Sequence, residues 1–261
     1  VADNLGAQAC SVESATYPDR LFERQLADGA AEPPVADWVF EDPRGDAGLG
    51  TYALKRVLDV AGASLALLLL SPLMVLTALA VKFSSPGPVI FSQLRLGKQG
   101  VPFRFYKFRS MVVNGDDGIH RDFVKRLIQG EHDSVNQQDS SRPMYKLKAD
   151  PRITWVGRII RKTSIDELPQ LFNVLKGDLS LVGPRPPLPY EAESYRSWHF
   201  RRVLEVKPGI TGLWQVEGRS RVSFDEMVRL DLRYTRRCSL LLDLSILFRT
   251  VKVVLRCEGA K

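Results

Sequence analysis

The chain has 261 residues, 44% of them hydrophobic and 26% charged, with a formal net charge of +7. That length suits one large domain or two small ones with ample material for a core, and the composition excludes whole-chain disorder and collagen-like or mucin-like character. Three dispersed cysteines (Cys10, Cys238, Cys257) and three scattered histidines argue against a disulfide framework, a zinc ribbon or a His-rich metal site, and point to a reducing compartment.

The charge divides unevenly. Residues 1–54 hold three basic residues against ten acidic ones, whereas the remainder holds 34 against 20, a net +14. A basic body calls for a polyanionic partner, and nucleic acid, anionic lipid and phosphorylated substrates all qualify. Residues 1–51 read as an acidic, loosely ordered segment with Pro33-Pro34, no sustained apolar period and at most a short helix around Arg20–Leu26. No apolar core follows a basic start, so this segment does not have the form of a signal peptide.

From Val60 to Val81 the chain runs 22 residues without a charge. As a helix this run reaches about 33 Å, enough for a hydrocarbon core of about 30 Å; a buried core helix is the alternative. Pro72, after Ser71, falls near its middle. Proline lacks the N–H that would bond to Leu68 and costs about 3 kcal/mol in an ordinary helix interior. In lipid such a break needs another donor, and the Ser71 hydroxyl is well placed to supply it. Both flanks are basic: Lys55 and Arg56 before, Lys82, Arg95, Lys98, Arg104, Lys107 and Arg109 after. The positive-inside rule then allows either a kinked span or a helix that dips in and returns to the same face.

Beyond residue 83 the sequence is mixed. Val89–Gln93 and Phe103–Phe108 are strand-like around the turn signals Gly97 and Gly100. In Phe103–Met111 basic residues alternate with aromatics, which suits single-stranded nucleic acid or a half-buried strand with Lys107 and Arg109 on one face. Gly115–Gly118 reads as a turn, Asp122–Gln129 has helical spacing, and Gln129–Arg142 is a polar loop. Ser164–Gly177 reads as a helix, with a Ser164/Glu167 capping box, Pro169 in the first turn and Gly177 as its stop. Asp166 and Glu167 at its N-terminus are favoured as ionised carboxylates, suited to nucleophile, metal-ligand or plain capping roles.

Leu181–Pro189 contains four prolines and is irregular; Pro184 and Pro186 stiffen the backbone around Arg185, which suits a phosphate-gripping guanidinium or a solvated connector. The glycines of Pro208–Arg219 permit close approach to a ligand. Ser223 with Glu226 opens a helix to about Arg237. Ser239–Arg256 is a helix with a polar stripe at Ser245, Arg249, Lys252 and Arg256, suited to a membrane interface or to the core.

Together and in this order, Lys55-Arg56-Val57-Leu58-Asp59, Ser71-Pro72, Tyr106–Met111, Thr163–Gln170, Leu181–Pro186 and Pro208–Arg219 resemble the bacterial sugar transferases, the monotopic phosphoglycosyl transferases. The resemblance covers roughly residues 52–261. It departs at the front, where larger members carry membrane helices and a further domain. It implies an α+β, mostly helical, monotopic membrane protein: an N-terminal segment 1–51, a re-entrant membrane helix 52–84 broken at Ser71-Pro72, and a cytoplasmic catalytic domain 85–261 with short β elements and C-terminal amphipathic helices. Lys55, Arg56, Ser71 and Pro72 would serve the membrane helix. The implied activity is transfer of a sugar-1-phosphate from a UDP-sugar to undecaprenyl phosphate with release of UMP, as the first membrane step of exopolysaccharide, capsule or O-antigen synthesis.

By resemblance Asp166 is the nucleophile and, with Glu167, a ligand of Mg2+. Lys107 and Arg109 join them in catalysis, and Arg185 with Pro184 and Pro186, and Thr211, Gln215 and Arg219, bind substrate. The implied partners are the UDP-sugar, undecaprenyl phosphate and anionic lipids at the cytoplasmic face of the bacterial inner membrane, with no nucleic acid; a homodimer is compatible. Two rivals are a membrane-tethered basic scaffold protein and a glycosyltransferase that releases UDP.

Overall fold

The computed structural model describes residues 47–112, 126, 128, 152–218 and 222–255. The expectations for segment 1–46, Gly115–Gly118, Asp122–Gln129 (save Arg126 and Ile128), Gln129–Arg142, Arg219 and Arg256 lie outside the described residues.

The elements run in order: α1 Ala47–Ser84, β1 Ile90–Leu96, β2 Pro102–Phe108, α2 Trp155–Lys162, a 3-10 turn Ile165–Glu167, α3 Gln170–Lys176, β3 Ser180–Val182, α4 Pro189–Ala192, α5 Ser197–Leu204, β4 Gly209–Thr211, α6 Leu213–Glu217, α7 Phe224–Arg237 and α8 Leu240–Leu255. The described chain is thus mostly helical with short strands. β1 and β2 form an antiparallel hairpin, and β3 pairs with β4 in parallel.

α1 is 38 residues, about 57 Å at the helical rise, and is long and apolar enough to cross a membrane. The break expected at Ser71-Pro72 is not found: α1 runs on through Pro72 as one helix, because the Ser71 hydroxyl replaces the donor that proline lacks. The carbonyl that Pro72 leaves without a helical donor is that of Leu68, and Ser71 Oγ donates to it at 2.9 Å. One stripe of α1 faces the body: Asp59, Ala63, Thr77 and Val81 are all buried. The opposite face is apolar and open, with Leu68 72% and Leu69 68% exposed. Such a face is unfavourable in water, at about 25 cal/mol per Å2.

Polar bonds hold α1 to the body at both ends. Near its start, Arg56 donates from Nη1 to Val174 O (2.6 Å) and from Nη2 to Leu175 O (2.9 Å), closing the C-terminus of α3. Lys55 Nζ donates to Val182 O (3.1 Å) and pairs with Asp243 of α8 (2.6 Å). Asp59 Oδ1 accepts from Ser180 Oγ (3.0 Å) and Leu181 N (2.9 Å) on β3. At its far end the buried Arg109 donates from Nη1 to Pro88 O (2.7 Å), and from Nη2 to Val81 O (3.0 Å) and Ser85 O (2.6 Å). The last carbonyls of a helix have no donor of their own, and a guanidinium supplies several at once.

The core has three apolar clusters. Val182, Leu213, Phe224, Val228, Tyr234 and Ile246 join the C-terminal helices. Ala63 packs with Phe103, Phe105, Leu171 and Leu179, and Val81 with Phe108, Val156 and Ile160. α1 therefore contributes to two of the three.

One local expectation changes. Ser164–Gly177 is not one helix: Ser164 is left-handed (φ 59°) and makes no capping bond, a 3-10 turn follows, and α3 begins only after Pro169. Pro169 has no N–H to continue an α-helix from the turn, and the Glu167 carboxylate is engaged elsewhere. Gly177 does end α3, at φ 92°. α8 carries its open apolar stripe outward, at Leu241, Leu244, Phe248 and Val251, while Asp243 and Ile246 are buried. Ser223 caps α7, accepting from Glu226 N at 3.2 Å.

Arg109→Met removes three charge-assisted bonds from a helix end and is expected to cost about 3 kcal/mol. Denaturant titration of the detergent-solubilised protein measures this, and an unchanged midpoint would mean that the end of α1 holds without it.

Candidate functional site

The site is assembled where β2, the 3-10 turn and the proline-rich loop after β3 meet. Asn173, fully buried on α3, fixes the first two. Tyr106 N donates to its Oδ1 (3.1 Å), and its Nδ2 donates to Arg104 O (2.6 Å) and Asp178 Oδ2 (3.1 Å). Asn173 thus serves the open edge of β2 as a neighbouring strand would. Asp166 in the adjoining turn is 7% exposed. Lys107 Nζ donates to Glu167 Oε1 at 2.7 Å, with the carboxylate side chain 39% exposed. Burial raises the pKa of Glu167, but Lys107 by charge and hydrogen bond, then Arg185 and Arg95, outweigh this and hold it below its ordinary value.

The loop Gly183-Pro184-Arg185-Pro186-Pro187 has few N–H groups of its own, since proline has none. Four consecutive carbonyls of the loop, Pro184 to Pro187, are nonetheless engaged. Pro184 O accepts from Gly209 N (2.9 Å) and Pro187 O from Leu96 N (3.0 Å). Arg185 O accepts from Arg202 Nη2 (2.8 Å) and Pro186 O from Arg95 Nη1 (2.6 Å). Arg95 is buried, stacks 4.7 Å from the centre of the Phe105 ring, and is lowered to about 10 by burial and then by Arg185. The Arg185 guanidinium itself makes no hydrogen bond or ion pair with a described residue. The site therefore holds one buried carboxylate, a carboxylate–lysine pair beside it, and an uncommitted guanidinium on a fixed backbone. That set suits a reaction at an anionic phosphorus centre.

Residues 50–257 match the sequence pattern described as bacterial sugar transferase. The chain belongs to the bacterial sugar transferase family. It is 48% identical over 208 residues to the galactosyl transferase CpsE of Streptococcus agalactiae, covering 79% of this chain and 43% of that protein. It is 47% identical over 207 residues to the undecaprenyl-phosphate galactose phosphotransferase of Salmonella typhimurium, covering 79% of this chain and 41% of that one. It is 42% identical over 206 residues to the exopolysaccharide production protein ExoY of Rhizobium meliloti, covering 79% and 87%. The chain thus spans well under half the length of the first two relatives.

Within this member of the family the expected site residues separate into groups. Asp166, Glu167, Lys107 and Arg185, with Pro184 and Pro186, lie in the site just described. Arg109 does not reach it as a phosphate partner: both terminal nitrogens are engaged by carbonyls at the end of α1 and in the turn that follows it, Val81 O, Ser85 O and Pro88 O. Thr211 is buried and lies 2.7 Å from Thr250 Oγ1, joining β4 to α8. Gln215 is half-buried on α6. The glycines of Pro208–Arg219, expected to admit a ligand, admit backbone instead: a Cβ on Gly209 would strike Gly183 N, and one on Gly212 would strike Gly183 O. Phe103, Phe105 and Phe108 are core residues, so those rings offer no stacking platform for bases.

The sequence reading missed Arg95, Asn173, Arg202 and Asp231. One signal was available: Asp231 lies among Val228, Leu230 and Tyr234 on the buried stripe of α7, where an isolated carboxylate requires a partner.

Among the described residues no three His, Cys, Asp or Glu side chains cluster as a metal cage. A hard cation such as Mg2+ takes oxygen ligands and keeps several waters, and Asp166 and Glu167 are the carboxylates of this site that could supply such oxygens.

Lys107→Met is expected to move the titration of Glu167 upward, read by 13C NMR of labelled glutamate. Because the folded pKa is depressed, the pair stabilises above the unfolded carboxyl value. Its contribution is lost as pH falls through the folded one. An unmoved titration would contradict the assigned cause.

Proposed function

We propose that this chain transfers a hexose-1-phosphate from a UDP-sugar to undecaprenyl phosphate and releases UMP, as the first membrane step of exopolysaccharide, capsule or O-antigen synthesis. The observation that carries the reading is the buried Asp166 beside the Glu167–Lys107 pair, with an Arg185 guanidinium that is uncommitted among the described residues on a loop held at four consecutive carbonyls. The printed name of the Salmonella relative supports the donor class and the lipid acceptor.

In the proposed reaction a carboxylate oxygen of Asp166 attacks the sugar-side phosphorus. The O–P bond forms as the bond to the bridging oxygen breaks, and UMP departs with that oxygen. A phosphate oxygen of the lipid then attacks the same phosphorus, and the acyl–phosphate bond breaks to restore Asp166. Lys107 holds Glu167 ionised and oriented. Arg185 binds diphosphate oxygens, offsetting the repulsion between an anionic nucleophile and an anionic substrate. Bound to Glu167 and Asp166, Mg2+ would add charge neutralisation at the diphosphate.

We place the catalytic body on the cytoplasmic face of the bacterial inner membrane, with α1 bending at Pro72 so that both of its ends meet that face. Two observations support this re-entrant placement over a span. Lys55, Arg56 and Asp59 bind the same body that Arg109 ties to the far end of α1, and the open faces of α1 and α8 are both apolar. Anionic headgroups would face exposed cations near those helices.

Asp166→Asn is expected to abolish UMP release across a panel of UDP-sugars while the melting transition is retained. Normal turnover would remove Asp166 as nucleophile, and UDP as product would favour a glycosyltransferase. For topology, cysteines placed near residues 50 and 90 should both be labelled from the cytoplasmic side. Labelling from opposite sides would exclude the re-entrant placement.

A further inference from the structure

We infer that Arg202, ion-paired with Asp231, is a positioning residue that fixes the backbone of Arg185 for diphosphate binding. This rests on the reading of Arg185 given above and extends it to two residues outside the recognised motifs. A long cationic side chain loses rotamer freedom when it binds, so a fixed starting point reduces what remains to be ordered. Pro184 and Pro186 restrict the backbone on both sides of Arg185 but donate no hydrogen bond. The carbonyl between them is held by Arg202 Nη2 at 2.8 Å.

Arg202 is an unusual residue to use for this purpose. It is 2% exposed and among the largest fully buried side chains. Its nearest countercharge is Asp231, at 3.1 Å on α7, and both side chains are 1% exposed. A buried pair of this kind adds little stability over well-packed apolar residues, whereas breaking it leaves an uncompensated charge. The geometry gives the pair a use: the Arg202 nitrogen that faces Asp231 is also the one that reaches the proline loop. The Arg185 charge lowers the pKa of both Asp231 and Glu167, a structural carboxylate and a site carboxylate. Arg95 performs the same service one residue on, at Pro186 O.

The test uses UDP binding by calorimetry for the wild type, Arg202→Lys, Arg185→Ala and the double variant, with UMP release assayed in parallel. Lysine keeps the charge opposite Asp231 but loses the forked reach to the carbonyl. Arg202→Lys is expected to melt as a folded protein and to weaken UDP binding roughly tenfold, the scale of a small misplacement of a binding group. In the Arg185→Ala background it should cause no further loss, because its effect passes through Arg185. Unchanged UDP affinity, or a loss that multiplies with that of Arg185→Ala, would overturn the inference. Should Arg202→Lys fail to melt cooperatively, Asp231→Asn decides, with a smaller weakening expected and none contradicting it. A wild type that binds UDP yet releases no UMP would instead count against the proposed reaction.

Discussion

A backbone carbonyl withdrawn from water needs a donor, and at four junctions of this chain the donor is a buried or half-buried cation. Arg56 closes the end of α3, Arg109 closes the end of α1, Lys55 holds the last carbonyl of β3, and Arg95 with Arg202 holds the proline loop. Each bond joins segments distant in sequence. Together they fix the apolar helix, the β3–loop segment and the carboxylate turn as one body. Five of the 34 basic residues downstream of residue 54 are thus structural before any ligand is met.

This use of charge leaves a particular remainder at the site. Lys107 is committed to Glu167, and Arg95 and Arg202 to carbonyls, while the Arg185 guanidinium stays uncommitted among the described residues. A site that must receive a diphosphate needs such an asymmetry. Lys107, already paired, keeps Glu167 ionised and oriented, and a cation uncommitted among the described residues waits for the substrate. Binding energy is then available at the reacting centre instead of being used to order the loop.

Local signals carried a good part of this structure in advance. The Gly177 stop, the Ser223 cap, the β1–β2 hairpin and the Ser71 hydroxyl at the proline step depend on residues within a few positions of one another, and those are legible in a sequence. Pairings over long separations were not. Lys55 and Arg56 count as flanking charges in any hydropathy reading, yet their partners are Asp243 and the end of α3. Arg109 shares a motif with Lys107 but lies beyond the end of β2, so strand alternation no longer sets where it points. The Ser164–Gly177 helix was overextended because a capping-box pattern says nothing of a lysine on another strand that claims the same glutamate.

The central claim is that Asp166 becomes covalently loaded. Intact-mass spectrometry of the protein incubated with its UDP-sugar and Mg2+, without lipid acceptor, tests it directly. The account predicts a mass increase of one hexose-phosphate, mapped to the peptide containing Asp166 and discharged when undecaprenyl phosphate is added. An unmodified protein that releases UMP only when the acceptor is present, or an adduct on another residue, would contradict it.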